Sequence, residues 1–278
     1  MSTLEIILLC LGIFLFLSIC VYLYYFVFET KRTKIIRYVY ENKSLTKVKN
    51  APSDAIKIVF FSDIHIGRAL HGNQLKSKID WLYKLNGDIY IFGGDLIGYK
   101  TPKYFSSELI TSMFTKLTNK PCFKVYGNHE FFVEDFINQD QKDRFFKALP
   151  FTLLENSRQT IELKNKTIDI IGLHEREFHK PSLPKLEGNN LRIVVLHQAD
   201  AIDELDIDAD IILAGHTHGG QIKLPFFKPL YLPIHGKKYL SGVYKVKNSH
   251  LIVSKGIGCN MIKFRFFAAS DIIELYIK

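Results

Sequence analysis

Five short apolar runs in this chain each end at a side chain that binds metals or moves protons, and that repetition limits the folds open to it. KIVFF at 57–61 leads into Asp63 and His65, and IYIF at 89–92 into Asp95. CFKVY at 122–126 leads into Asn128, His129 and Glu130, RIVVL at 192–196 into His197, and IILA at 211–214 into His216 and His218. Runs that are apolar throughout read as strands covered on both faces, and open α/β sheets place their sites at the carboxyl ends of such strands. Singly, each polar residue has an ordinary explanation: Asp63 a helix cap, Asp95 a turn residue, Asn128 a left-handed cap, His197 a satisfied core histidine. Five at equivalent places together point to one site.

The segment 211–221, IILAGHTHGGQ, carries the sharpest signal. Gly215 ends the strand at a rim. If the chain stays extended through His216, Thr217 and His218, alternate positions share a side, so both imidazoles face one point and make a metal site. Gly219 and Gly220 leave the backbone open to a metal or a phosphate oxygen.

Between these runs the pattern alternates. Helices are expected at 74–85 and 106–117 between the first three strands, which is an α/β arrangement with a largely parallel start. After Pro150 short strands follow at 151–154, 160–163, 167–171, 191–196 and 209–214, with the end strand-rich again at 243–246, 251–254 and 272–277. Two sheets packed face to face with helices outside accommodate this. No internal repeat is present.

Ahead of the globular part, residues 6–28 form 23 uncharged, mostly apolar positions, enough as a helix to span roughly 34 Å of bilayer. The run lacks the basic start and small-residue cleavage site of a secretory signal. Lys31, Arg32, Lys34 and Arg37 follow it with no Lys or Arg before it, which places the bulk of the chain in the cytoplasm. The organisation expected is a tip at 1–5, a transmembrane helix at 6–28, a basic juxtamembrane linker at 29–55 and a catalytic domain at 56–278.

The net charge of +9 would suggest a nucleic-acid partner if spread over a binding face. Residues 29–60 hold eight basic and three acidic groups, so about half the excess sits beside the span, where it suits anionic headgroups; no nucleic acid is expected. Cys122 and Cys259 alone fall in the folded part, which is no disulfide framework and suits a reducing compartment.

Asp63-x-His65, Gly94-Asp95, Gly127-Asn128-His129-Glu130, His197 and Gly215-His216-x-His218 resemble, in order and spacing, the five motifs of calcineurin-like metallophosphoesterases. The resemblance covers residue 56 to the end and implies a four-layer α/β/β/α sandwich with two divalent metals. Asp63, His65, His218 and a bridging Asp95 would hold the first; Asp95, Asn128, His197 and His216 the second, with His129 beside the leaving group. Nitrogen and oxygen ligands without thiolate suit Mn, Fe or Zn. In the protein serine/threonine phosphatases of this family an aspartate supports the catalytic histidine where this chain has Gly98, which leaves Glu130 as the nearest orienter of His129.

The longer strings GHTHGGQIKLP at 215–225 and VSKGIG at 253–258 resemble a bacterial, membrane-anchored branch that includes a UDP-2,3-diacylglucosamine pyrophosphatase of lipid A biosynthesis. That resemblance implies an inner-membrane enzyme whose partners are the bilayer and a phosphorylated or nucleotide-diphospho-lipid substrate. Relatives commonly carry Pro-Pro-Glu where this chain has Ala269, Ser270 and Asp271. Phe226, Phe227, Tyr231, Phe264 and Phe267 either close the core, line an acyl pocket or touch the bilayer. Arg68, Glu130 and His235 are the candidate substrate contacts. A nucleotide phosphodiesterase or nuclease, and an inactive membrane scaffold, are the alternative functions.

Overall fold

The computed structural model describes every residue except 1, 68, 99–105, 133–136, 187 and 225. The first helix, α1 (Thr3–Tyr24), opens on Ser2, whose hydroxyl accepts from the backbone N–H of Glu5 while the Glu5 carboxylate accepts from that of Ser2. None of its residues is buried. A π-helical turn, Tyr25–Glu29, extends it to the edge of the domain.

The chain then departs from the expected linker. β1 (Thr33–Glu41) and β2 (Ser44–Val48) form a hairpin, and β1 pairs in parallel with the last strand, β13 (Ser270–Ile277). Tyr38 and Tyr40 turn into the core on alternate positions, while Arg37 reaches Glu274 at 2.6 Å. A period-two apolar pattern underlies the basic residues, and the charge count concealed it. The folded unit therefore begins near residue 33.

β3 (Ile56–Phe61), antiparallel to β13, and then β4 (Ile89–Phe92), β5 (Cys122–Lys124) and β6 (Thr152–Leu153), parallel to β3 and to one another, continue this sheet in the order β2-β1-β13-β3-β4-β5-β6. The second sheet contains β7 (Ser157–Leu163), β8 (Lys166–Gly172), β9 (Leu191–Val195), β10 (Ile211–Ala214), β11 (Gly242–Val246) and β12 (Ser249–Val253). Its order is β11-β12-β10-β9-β8-β7, parallel from β12 to β8. Ile58, Phe60, Ile89 and Ile91 face Ile170, Ile193, Ile211 and Leu213 between the sheets. The alternate residues Val59, Phe61, Tyr90 and Phe92 meet α2 (Gly72–Leu85), α3 (Ser107–Phe114) and α4 (Gln139–Ala148).

α4 was not expected from the sequence, although Asn138 and Gln141 form its capping box and Phe145 and Phe146 its buried face. The layer over the second sheet is thin: among the described residues it is a short helical segment, Ala199–Glu204, with loops bearing Leu183, Leu186 and Tyr239. The α/β sandwich stands, with its fourth layer reduced.

Lys124 lies inside this frame and Lys78, half-buried, at its edge. Burial pushes Lys124 down to about 7 against the opposing pull of Glu130 and Glu155, and its Nζ donates to Phe146 O at 3.1 Å. Burial and then Arg265 push Lys78 down to about 8. Lys124 takes up a proton on unfolding above about pH 7 and Lys78 above about pH 8, so stability is expected to rise with pH from about 7 towards the ordinary lysine value. Thermal unfolding of Lys124→Met between pH 7 and 9 should show a shallower rise than the parent.

Candidate metal centre

The carboxyl ends of β3, β4, β5, β9 and β10 open on one rim, and loops from the two sheets lock together there. Asp63 N–H donates to Gly94 O (2.9 Å), Gly215 N–H to His197 O (3.1 Å), and His216 N–H to the Asp63 carboxylate (3.0 Å). The last bond spans the sandwich and joins the first motif to the last.

The turns are sharp. Asp63, His65, Asp95, His216 and His218 all have φ between +48° and +73°, a region that costs a non-glycine residue of order 1 kcal/mol or more. The extended run expected for His216–His218 is thus replaced by a left-handed turn. In consequence the two imidazoles do not face one point: His218 joins Asp63 and His65, and His216 joins Asp95 and His197. The glycines of the motifs make room for carboxylates, since a Cβ on Gly127 would overlap Asp95 Oδ1 and one on Gly215 would overlap Asp63 Oδ2.

In the first group His65 Nε2 and His218 Nε2 are 2.9 Å apart, and Asp63 Oδ1 lies 3.9 and 3.6 Å from them. In the second, His197 Nε2 is 3.1 Å from Asp95 Oδ2 and 3.2 Å from His216 Nδ1. Asp95 Oδ2 is also 3.4 Å from His65 Nε2, so it belongs to both. Ligands each about 2.1 Å from one ion stand roughly 3.0–3.4 Å apart, which matches the second group and the Asp95–His65 spacing, while Asp63 Oδ1 stands wider from its two histidines. All seven residues expected as ligands are buried here, and Asn128 Oδ1 has no hydrogen-bond partner.

Outer contacts fix the tautomers. His197 Nδ1 faces Gly93 O (2.7 Å) and His216 Nε2 faces Ile234 O (2.7 Å). Each bond to a carbonyl places the proton on that nitrogen and leaves the other one's lone pair for the site. Electrostatics agree with a cation here. Burial, then neighbouring imidazoles, hold His65 and His218 well below the usual histidine range. The two carboxylates diverge: burial raises Asp63, whereas on Asp95 burial is outweighed by His197 and His129, which hold it well below the carboxylate range. Burial opposes charge on His197 too, but Asp95 and Asp63 push it up to about 10. A proton on His197 thus supplies positive charge that a divalent ion would bring.

His129 stands 4.5 Å from His65, ring centre to ring centre, with Nδ1 unpartnered. It lines a cavity of about 240 Å³ with Asp95, Asn128, His216 and Tyr231. The substrate contacts expected from sequence fare differently. The Glu130 carboxylate accepts from the backbone N–H groups of Asp95 (2.8 Å), Leu96 (2.6 Å) and Gly127 (2.6 Å), so it holds two motif loops instead of orienting His129 or touching substrate. Both oxygens are consumed by backbone donors. His235 is half-buried beside Ile234 and does not line this cavity, and Arg68 lies outside the described residues.

Arg265 was missed. It is fully buried and donates to the carbonyls of Gly258 (Nε, 3.0 Å), Ala268 (2.8 Å) and Lys255 (2.8 Å), with Nη2 3.2 Å from His218 Nδ1. In the sequence it is one basic residue among aromatics, and only its partners in space reveal a role.

Comparison with known proteins agrees with this geometry. The profile of the Calcineurin-like phosphoesterase family matches residues 56–220. The chain is 31% identical to the uncharacterised metallophosphoesterase YkuE of Bacillus subtilis, over 81% of this chain and 80% of that one. It is 27% identical to phosphodiesterase YaeI of Escherichia coli, over 73% and 75%. To the UDP-2,3-diacylglucosamine pyrophosphatase LpxG of Chlamydia muridarum it is 27% identical, over 65% and 68%. With the motifs gathered at one rim and the profile spanning them, the chain belongs to the calcineurin-like phosphoesterase family of metal-dependent hydrolases.

Proposed function

We propose that this protein is a membrane-anchored hydrolase of a phosphoester or pyrophosphate bond in a lipid-linked substrate, with two divalent ions at the rim. The observation that carries the chemistry is the sharing of Asp95 between the two ligand groups. Asp63, His65, His218 and Asp95 would hold one ion; Asp95, Asn128, His197 and His216 the other. Two such ions would supply Lewis acidity and lower the pKa of a bound water.

The chain's own residues do the remaining work. Glu130 keeps the loops of Asp95 and Gly127 at a fixed separation through its three backbone bonds. His129, its backbone N–H held by Asp95 Oδ1 at 2.9 Å, projects into the cavity where the ester would lie and is placed to hand a proton to the departing oxygen. Mn, Fe and Zn all suit the donor set.

A lipid substrate is supported by α1, long and apolar enough to cross a bilayer, and by a second cavity of about 280 Å³ beside the first. Its floor is His216 and His218 and its walls are Ile222, Leu230, Met261 and Ile262. The relative LpxG, a UDP-2,3-diacylglucosamine pyrophosphatase, acts on this substrate class. The basic residues after α1 favour a single-pass protein in a bacterial inner membrane with the domain in the cytoplasm; a C-terminal reporter fusion tests that orientation.

The activity test is purified full-length protein with Mn on a nucleotide-diphospho-lipid. Release of the nucleoside monophosphate is expected. No release beside rapid cleavage of a simple phosphodiester would overturn the lipid assignment and favour a nucleotide phosphodiesterase. Chelation is expected to remove activity and lower the unfolding temperature, both restored by added Mn; an unchanged Tm would count against resident ions.

A further inference from the structure

The surface around the metal centre's mouth carries a ring of apolar side chains that the fold does not use. Phe226, Phe227, Leu230, Tyr231 and Met261 are each about two-thirds or more exposed. Monomeric soluble proteins rarely leave such a cluster open to water. Its neighbour in the chain is the segment 264–267, on which the end of α1 rests. Tyr22 stacks on Phe264 with ring centres 5.8 Å apart, and Tyr25 packs against Phe266 (4.2 Å) and Phe267 (4.9 Å). Thr30 Oγ1, just past the helix, accepts from Arg265 N–H at 3.0 Å. The apolar ring is thus continuous with the point where the helix leaves the domain.

Charge points the same way. Residues 211–270 contain nine Lys and Arg and no Asp or Glu, a second basic concentration besides the one next to the helix. Lys223, Lys228 and Lys263 fall among the exposed apolar positions. Lys263 also lines a cavity of about 220 Å³ with Lys31 and Lys78, against the helix end, and no Asp or Glu is among the described residues lining it. Aromatic and aliphatic side chains interleaved with lysine are the composition of a surface that enters the headgroup region of an anionic bilayer.

We infer that residues 226–234 and 260–267 form a second membrane contact, which seats the mouth of the metal centre on the bilayer surface. This rests on α1 spanning the membrane, as proposed above. Leu230, Tyr231 and Met261 belong both to this ring and to the wall of the 280 Å³ cavity that ends at His216 and His218. A lipid tail passes from bilayer to cavity along these side chains without crossing water. The helix therefore sets the orientation of the domain as well as tethering it, because its end packs on Phe264, Phe266 and Phe267, inside one of the two contacting segments.

The experiment reads contact and not catalysis. Full-length protein in nanodiscs containing anionic lipid is prepared in a Trp81→Phe background, Trp81 being the sole tryptophan. Single tryptophans replace Phe227, Phe14 in the anchor, or Glu162. Glu162 is exposed and pairs with Thr167 at the amino end of β8, the end away from His197. With phospholipids brominated on the acyl chains, quenching at 14 and 227 is expected to exceed that at 162 several-fold. Quenching at 14 with none at 227 above the level at 162 overturns the second contact and leaves the anchor intact. Absence of quenching at 14 overturns both. Neither outcome depends on metal or hydrolysis, so the activity assignment is judged separately.

Discussion

Asp95→Asn is expected to lower kcat/KM on a chromogenic phosphodiester, with Mn present, by at least about a thousand-fold, about 4 kcal/mol of transition-state stabilisation. The asparagine keeps the shape and the Oδ1 acceptor for His129 N–H. What it loses is the charge at Oδ2, which stands 3.1 Å from His197 Nε2 and 3.4 Å from His65 Nε2 and so serves both halves of the centre. One carboxylate, Asp63, would then face two ions, and metal stoichiometry by elemental analysis should fall along with rate. His129→Ala separates binding from proton transfer: the metal content should stay and the rate should fall, most for esters with poor leaving groups. An Asp95→Asn protein within tenfold of the parent in kcat/KM would remove the shared-ligand account.

The second large effect is on stability. Arg265→Met is expected to cost about 3–5 kcal/mol, a drop in Tm of roughly 10 °C for a domain of this size. The methionine fills much of the volume, yet it leaves the carbonyls of Gly258, Ala268 and Lys255 facing each other without their donor. Buried acceptors left unpaired carry the full desolvation penalty. Arg265→Lys should recover only part of the loss, because one ammonium cannot reach three carbonyls spread around a planar guanidinium. The variants should also bind metal more weakly, since the segment 255–258 packs on Asp63 through Gly256 and on Ile64 through Gly258. Thermal melts with and without Mn measure both. A melting temperature in Arg265→Met within a degree or two of the parent would show that the carbonyl cage does not depend on the guanidinium.

Much of the centre was legible before any fold was known, for a physical reason. Strands buried on both faces must be apolar, so polar residues at their ends stand out, and the run from Ile211 to Ala214 followed by His216 and His218 is the clearest instance. Other parts were hidden by averaging. β1 carries Arg37 on one side and Tyr38 and Tyr40 on the other, with Lys34 exposed at its start, so a count of charge hides the strand. Glu130 sits beside His129 in sequence, which suggests that it orients the imidazole, whereas its carboxylate turns back to three backbone N–H groups.

What the sequence by itself determined is the chemistry: the ligand types, their order, and the apolar strands that carry them, all written in local patterns of burial and turn. What only the tertiary structure decided is how the ligand sets implied by the family resemblance come together, with His216 and His218 turned apart and Asp95 within reach of both groups, and that Arg265 braces the site from behind. Those facts depend on left-handed turns at Asp63, Asp95 and His216 and on bonds between residues some 150 positions apart in the chain, such as His216 N–H to Asp63. Local sequence does not encode such distances; the packing of two sheets at one rim creates them.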